Sequence, residues 1–396
     1  MKKLFTFIAV ICLALNASAQ YQVENSDFEE WESVSDGAGE EPVKWSSFLT
    51  PSEGTLSMAK GKQLESSTHT RPGSTGTKSA YIYARKVFLT IFAQGNLTTG
   101  CISGTSTTAT DANGNYNFTN ESNPDQCMRF SGKPDAIKVW INNYTSKADK
   151  TGKIAVYLHE KGYYQDPNTG NTSSLSKLVA SATNAPASNS NSDKANPKDE
   201  DWKEITIPFT YENNGTDRPY YALVSFATNS TMGQGASNDY MYIDDMEMVY
   251  YHDLASVVYN GTNVTVASAM DLSNQLYDES KLTLTHNAKG NARIEKSYDA
   301  STGLLTITVY GEDYGTDTET LFQNPKSKTT YTIQFLKKGD VNGDKSVTIA
   351  DVTALVNIIL GKSQAPASGV ANVNGEDGVT IADVTALVNI ILGKNK

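Results

Sequence analysis

The sequence predicts a mainly β protein that ends in a short helical tail. Three observations carry this. Apolar and polar residues alternate over many short runs between Tyr21 and Tyr251. A second group of short alternating runs, broken by Asn-Gly and Thr-Gly, occupies residues 252–337. The segment VTIADVTALVNIILGK then occurs twice, at Val347–Lys362 and Val379–Lys394. Period-two alternation is the pattern of half-buried antiparallel strands, whereas the doubled segment has the spacing of an amphipathic helix.

The chain has 396 residues and a formal net charge of −11. That length suits two or three domains. The acidic balance argues against nucleic acid and against anionic membrane surfaces, which need clustered Lys and Arg. The chain begins MKKLFTFIAVICLALNASAQ. Lys2 and Lys3, the apolar run Leu4–Leu15 and the small residues Ala17-Ser18-Ala19 predict a secretory signal peptide over 1–19. Its apolar run is too short to span a bilayer, and no later stretch is apolar enough to do so. Ile11 before Cys12 stands where a lipid-attachment site takes a small residue. A secreted or surface-attached protein is expected. Export leaves Cys101 and Cys127. An even count in an oxidising compartment favours one disulfide over two buried thiols. It would close a loop of about 27 residues and contribute about 3–4 kcal/mol.

In the body (21–251), AIKVWINNY places Ile137, Val139 and Ile141 on one face and Lys138, Trp140, Asn142 and Tyr144 on the other. KIAVYLHE opposes Ile154, Val156 and Leu158 to Ala155, Tyr157 and His159. WKEITIPF, YYALVSFAT and DYMYIDDMEMVYY continue the pattern, and Ser181–Asp201 is a polar loop of low complexity. Many short strands with few helices predict a β-sandwich of jelly-roll type. The strands SVVYNGTNVTV, KLTLTH, LLTITVYG and TYTIQFLKK predict a small immunoglobulin-like sandwich at 252–337, acting as a spacer.

The tail, 338–396, holds two loop–helix units. DVNGDKSVTIAD fits a twelve-residue calcium loop, with Asp340, Asn342, Asp344, Ser346 (through its carbonyl), Thr348 and Asp351 at positions 1, 3, 5, 7, 9 and 12. NVNGEDGVTIAD repeats the spacing with Asn372, Asn374, Glu376, Gly378, Thr380 and Asp383. Calcium is a hard ion that takes six to eight oxygens, and the loop can gather them about one point. The first loop offers three carboxylates and the second two, so the first should bind more tightly. Lys345 and Asp377 stand at position 6, where glycine is usual, and a left-handed turn there costs about 1–2 kcal/mol. In the helices, Val352, Leu355, Val356 and Ile359 form one apolar stripe, repeated by Val384, Leu387, Val388 and Ile391. Gly361 and Gly393 mark the stops.

Two loop–helix units at this offset resemble the type I dockerin module, over Asp340–Lys396. The resemblance implies a calcium-dependent module that binds a cohesin partner. It also implies partner contacts at loop positions 10 and 11: Ile349 with Ala350, and Ile381 with Ala382. The duplication implies an approximate two-fold axis and two binding orientations.

AQGNLTTGCISG, MRFSGKPDAIKVWINNY and NDYMYIDDMEMVYY are similar to a bacterial domain family assigned to carbohydrate metabolism, over most of 25–251. That implies a jelly-roll fold like those of carbohydrate-binding modules and a glycan-related role, without catalytic residues to carry over. The chain has no HExxH, GxSxG or Gly-rich phosphate loop. The run Tyr242–Glu247 is similar to the acidic strand of jelly-roll glycosidases, but Tyr242 stands at the nucleophile position. Glu29 and Asp244 are candidates to share a structural calcium ion, or else are solvated strand-end charges. For sugar, the expected platform is Trp140 and Tyr144 on one strand beside Tyr157 and His159 on the next, with packing under the 181–201 loop as the competing role. Non-catalytic polysaccharide or oligosaccharide binding is the leading function. A glycoside hydrolase and a structural or adhesive subunit are the alternatives.

Overall fold

The computed structural model describes residues 21–394 apart from 35–37, 89–90, 147–149, 170–174, 289–291, 301, 314–326 and 367–368. The expected signal peptide lies outside the described residues.

The body is built from ten main strands: β1 (Leu64–Ser67), β2 (Ser79–Tyr83), β3 (Asn96–Thr98), β4 (Ala136–Tyr144), β5 (Lys153–His159), β6 (Leu178–Asn184), β7 (Lys203–Pro208), β8 (Thr210–Tyr211), β9 (Tyr221–Ala227) and β10 (Tyr240–Val249). They form two five-stranded antiparallel sheets, ordered β7-β4-β10-β2-β1 and β8-β6-β5-β9-β3. One core joins them. Ile137, Val139 and Ile141 of β4 meet Ile154, Val156 and Leu158 of β5 in it, all fully buried. The alternation therefore marked the buried faces correctly, and the sandwich is as expected.

The same core overturns the expected platform. β4 and β5 are successive in sequence but belong to opposite sheets. Their apolar faces point at each other, so their polar faces point away from each other. Trp140 and Tyr144 lie on one outer face, and Tyr157 and His159 belong to the other sheet. His159 is fully buried. Its Nδ1 lies 2.8 Å from Glu160 O and 2.7 Å from Ser176 Oγ, and its Nε2 lies 2.8 Å from Thr119 Oγ1.

The expected disulfide is also overturned: both cysteines are free. Cys101 opens a strand, Cys101–Gly104, that pairs with Asn115–Phe118, and this pairing buries its side chain, with Sγ 3.9 Å from Ile102 O. Burial pushes the thiol up to about 12. Cys127 sits half-buried among Glu121, Lys44 and Arg129.

Residues 254–335 supply a second core, between the three-stranded sheet of Leu254–Tyr259, Thr262–Val264 and Leu282–His286 and a four-stranded sheet. In the latter, Ala269–Leu272 runs parallel to Lys328–Phe335, followed by Leu304–Tyr310 and Arg293–Asp299. The buried pair Lys133 Nζ–Glu312 Oε2, at 3.2 Å, ties this part to the body. The tail has its own core around Leu355 and Leu387 and two helices, α1 (Ile349–Ile359) and α2 (Ile381–Ile391).

Burial depresses His159 from its ordinary 6.5 to about 4. A depressed folded value means that the stabilisation is complete above about pH 6.5 and is lost as the pH falls towards 4. The wild type should lose about 3 kcal/mol more than His159→Gln between pH 7 and pH 4. Urea unfolding followed by Trp fluorescence measures this, because all four Trp (31, 45, 140, 202) lie in the body.

Candidate functional site

Each helix of the tail begins with a capping box. Thr348 accepts from Ala350 N, and Asp351 returns the bond to Thr348 N at 2.7 Å. Thr380 and Asp383 repeat this, again at 2.7 Å. The second oxygen of each Asp reaches back across the loop: Asp351 Oδ1 accepts from Asn342 N at 3.0 Å, and Asp383 Oδ1 from Asn374 N at 2.9 Å. Both carboxylates are fully buried. Against the desolvation that would raise Asp383, N–H groups of Asn374, Thr380 and Val373 hold it below the usual carboxylate range.

The loops fit an oxygen-seeking cation. In the first, Asp340 is 3% exposed; Oδ2 accepts from Lys345 N at 3.0 Å, while Oδ1 is buried without a hydrogen-bond partner. A buried acceptor of this kind is costly unless something coordinates it. Asp344 and Asn342 stand beside it, joined at 2.9 Å. In the second loop the equivalent residue is neutral. Asn372 donates to Glu376 O at 2.5 Å and accepts from Gly375 N at 2.8 Å, which leaves no such orphan. Position 6 also differs: Lys345 takes the left-handed φ of 71° expected there, whereas in the second loop that conformation moves on to Gly378, at 85°.

Leu355 and Leu387 are fully buried, and Val352, Ile359, Val384 and Ile391 pack beside them. Val356 and Val388 do not join this core; Ile358 and Ile390 take their places, because the facing helix covers that flank. Val341 and Val373, at loop position 2, complete the core and were not anticipated. Their alternation with ligand positions 1 and 3 was the available signal. Gly361 and Gly393 turn left-handed at the stops, as expected. Ile349 and Ile381 are exposed by 71% and 70%, with Leu360 and Leu392 at the opposite helix ends exposed by 60% and 57%. Ala350 and Ala382 are exposed beside the isoleucines.

Residues 338–392 match the type I dockerin domain. This stretch is a type I dockerin. Such domains bind Ca2+ through EF-hand-like loops, and a dockerin implies a cohesin partner. No curated protein matches the chain. Solved structures similar to it include a cyclase from Fischerella sp. TAU, at 12% identity over 58% of this chain and 98% of that one. The cyclase Fisc from Fischerella sp. TAU, in complex with (3Z)-3-(1-methyl-2-pyrrolidinylidene)-3H-indole, is similar at 14% identity over 58% and 100%. Both have a TM-score of 0.29, too low to carry an argument.

In the body, Trp140 and Tyr144 belong to a cluster with Tyr81, Tyr83, Trp202, Tyr240 and Tyr242 on the outer face of the first sheet. Tyr81 stacks on Tyr242 at 4.5 Å, and Arg71 lies over Trp140 at 5.3 Å. The polar loop covers part of it: Tyr240 and Tyr242 donate to Asn191 O and Lys194 O. Tyr81, Tyr83, Trp140 and Tyr144 stay half-buried at its open side. Tyr157 is spent elsewhere, donating to Asp166 Oδ1 at 3.2 Å.

Glu29 and Asp244 grip the two ends of one loop. Glu29 accepts from Thr77 N and Lys78 N, at 2.9 and 2.8 Å; Asp244 Oδ2 accepts from Arg71 N at 2.8 Å. Asp244 is fully buried, which pushes it up to about 7, and its Oδ1 has no hydrogen-bond partner. A pair of solvated strand-end charges is therefore the wrong description of Asp244.

Calorimetric titration of the full chain with Ca2+ should resolve two unequal sites, the first about tenfold tighter because it adds a carboxylate. Asp340→Ala should remove the tighter site and Glu376→Ala weaken the other.

Proposed function

We propose that the chain is an exported, glycan-associated protein. Its calcium-loaded tail docks on a cohesin-bearing partner, and residues 21–251 are a non-catalytic glycan-binding cargo, with 252–337 as spacer. The observation that carries the docking reading is the placement of Ile349 and Ala350 on α1 with Leu360 at its C-cap, and of Ile381 and Ala382 on α2 with Leu392 at its C-cap. The same apolar residues stand exposed at the same positions twice. Solvent-exposed isoleucine at 70% is costly on a free surface and useful in an interface. Because α1 and α2 carry the identical sequence IADVTALVNII, either can present the contact, and the partner is held in two orientations.

The glycan reading is supported by the open edge of the aromatic cluster. Tyr81, Tyr83, Trp140 and Tyr144 offer flat faces for the C–H faces of sugar rings. Arg71, Lys194 and Glu65 border it: Arg71 over Trp140, Lys194 over Tyr83, and Glu65 accepting from Tyr83 OH at 3.2 Å. They supply the hydrogen-bonding groups that fix orientation.

Binding of the full chain to immobilised cohesin modules in Ca2+ and in chelator tests docking. Ile349→Asp alone should weaken binding less than about tenfold, since α2 substitutes, while Ile349→Asp with Ile381→Asp should cost more than about a hundredfold. Equal losses in the single and double variants overturn the two-orientation reading. Retardation on polysaccharide gels tests the cargo: Trp140→Ala should lose it, and reducing-sugar release would replace binding by hydrolysis.

A further inference from the structure

Among the described residues, six large apolar side chains are exposed. Four are the isoleucines and leucines of the dockerin helices. The other two, Met58 and Ile91, lie together on the lining of a cavity of ≈ 220 Å³ in the body. This cavity stands over the second sheet, remote in topology from the aromatic cluster of the first. Its walls are apolar: Phe48, Leu56, Met58, Ile91, Phe92 and Met232.

Its polar side chains are mostly bonded within the protein. Asn96 and Asn117 exchange side-chain bonds at 2.9 and 3.2 Å, and Asn117 also donates to Ser225 Oγ at 2.8 Å. All three are buried. Lys153 and Asp166 are the two charged residues of the lining, and they pair at 2.6 Å, with Tyr157 holding the second oxygen of Asp166.

We propose that this cavity is a binding site for an uncharged, mainly apolar small molecule of one or two rings. Size sets the ring count: the volume exceeds the ~150 Å³ of a cavity that takes benzene and falls short of the ~300 Å³ at which drug-sized pockets begin. Charge sets neutrality, because Lys153 and Asp166 cancel and an ionic ligand would be desolvated without a counter-charge. The apolar walls favour an aromatic or alicyclic body over a polyol, whose hydroxyls would face Leu56, Met58 and Ile91 unpaired.

Titration calorimetry of the full chain with 2-naphthol, 2-methoxynaphthalene and methyl α-glucoside tests this. 2-Naphthol and its methyl ether should each bind one saturable site, and methyl α-glucoside should not bind. Thr107→Trp, at an exposed lining position, should weaken both naphthalenes by at least about tenfold while leaving the melting temperature unchanged. The proposal is overturned if neither naphthalene binds saturably, if Thr107→Trp leaves their binding unmoved, or if methyl α-glucoside binds instead and is the ligand displaced by Thr107→Trp.

Discussion

The tail depends on two buried carboxylates, Asp351 and Asp383. Each spends one oxygen on the N-cap of its helix and the other on the backbone near the start of its loop. A helix of eleven residues has little stability of its own. The carboxylate gives it a fixed start, satisfies a backbone donor that the first turn leaves open, and places an anion at the positive end of the helix dipole. It also ties the helix start back to the start of the loop. Calcium binding by loops of this kind is folding energy for the module that carries them. The helix pair then buries Leu355 against Leu387, which neither unit can do alone.

The body rests on a different constraint, the crossing from β4 to β5. Because these strands enter one core from opposite sheets, the chain gains two outer faces with separate characters. One carries seven aromatic rings under a polar loop. The other carries buried amides, a hydroxyl and an ion pair beneath a second layer of strands. The buried Lys133–Glu312 pair fastens the following strands to this frame, with Lys133 N donating to Glu312 O at 2.9 Å as well. Burial pushes Glu312 up, opposed by Lys133.

Much of this was legible in the sequence, for physical reasons that also mark where legibility stops. Alternation reports which side chains face inward, and Ile137, Val139, Ile141, Ile154, Val156 and Leu158 all do. It is silent on which sheet a strand joins, so Tyr157 and His159 were grouped wrongly with Trp140 and Tyr144. Cysteine parity reports a possible bridge, but the pairing of Cys101–Gly104 with Asn115–Phe118 decides where Cys101 points. Loop spacing located the hydrogen-bonded loop that holds Asp340, Asn342, Asp344 and Asp351, because residue order there is set locally by the backbone. Helical spacing found Leu355 and Leu387 yet exchanged Val356 for Ile358, since the flank that is covered depends on how the second helix crosses the first. The cavity was not legible at all: its lining comes from segments between Phe48 and Gly233, brought together only by the fold.

The exposed apolar residues separate the two kinds of recognition. At the ends of α1 and α2 they stand at 57–71% exposure, where another folded surface can cover them. Around Met58 and Ile91 exposure is lower, 40% and 38%, and the surface is concave, where a molecule small enough to enter gains contact on several sides. Burying apolar area gives about 25 cal/mol per Å² in both cases, but a protein partner must also offset the loss of its rotational freedom with a broad contact. The duplicated helix exposes the same apolar residues at two places. A cavity supplies contact by enclosure. A chain with one of each is organised to be held by its tail while its body remains free to take a ligand.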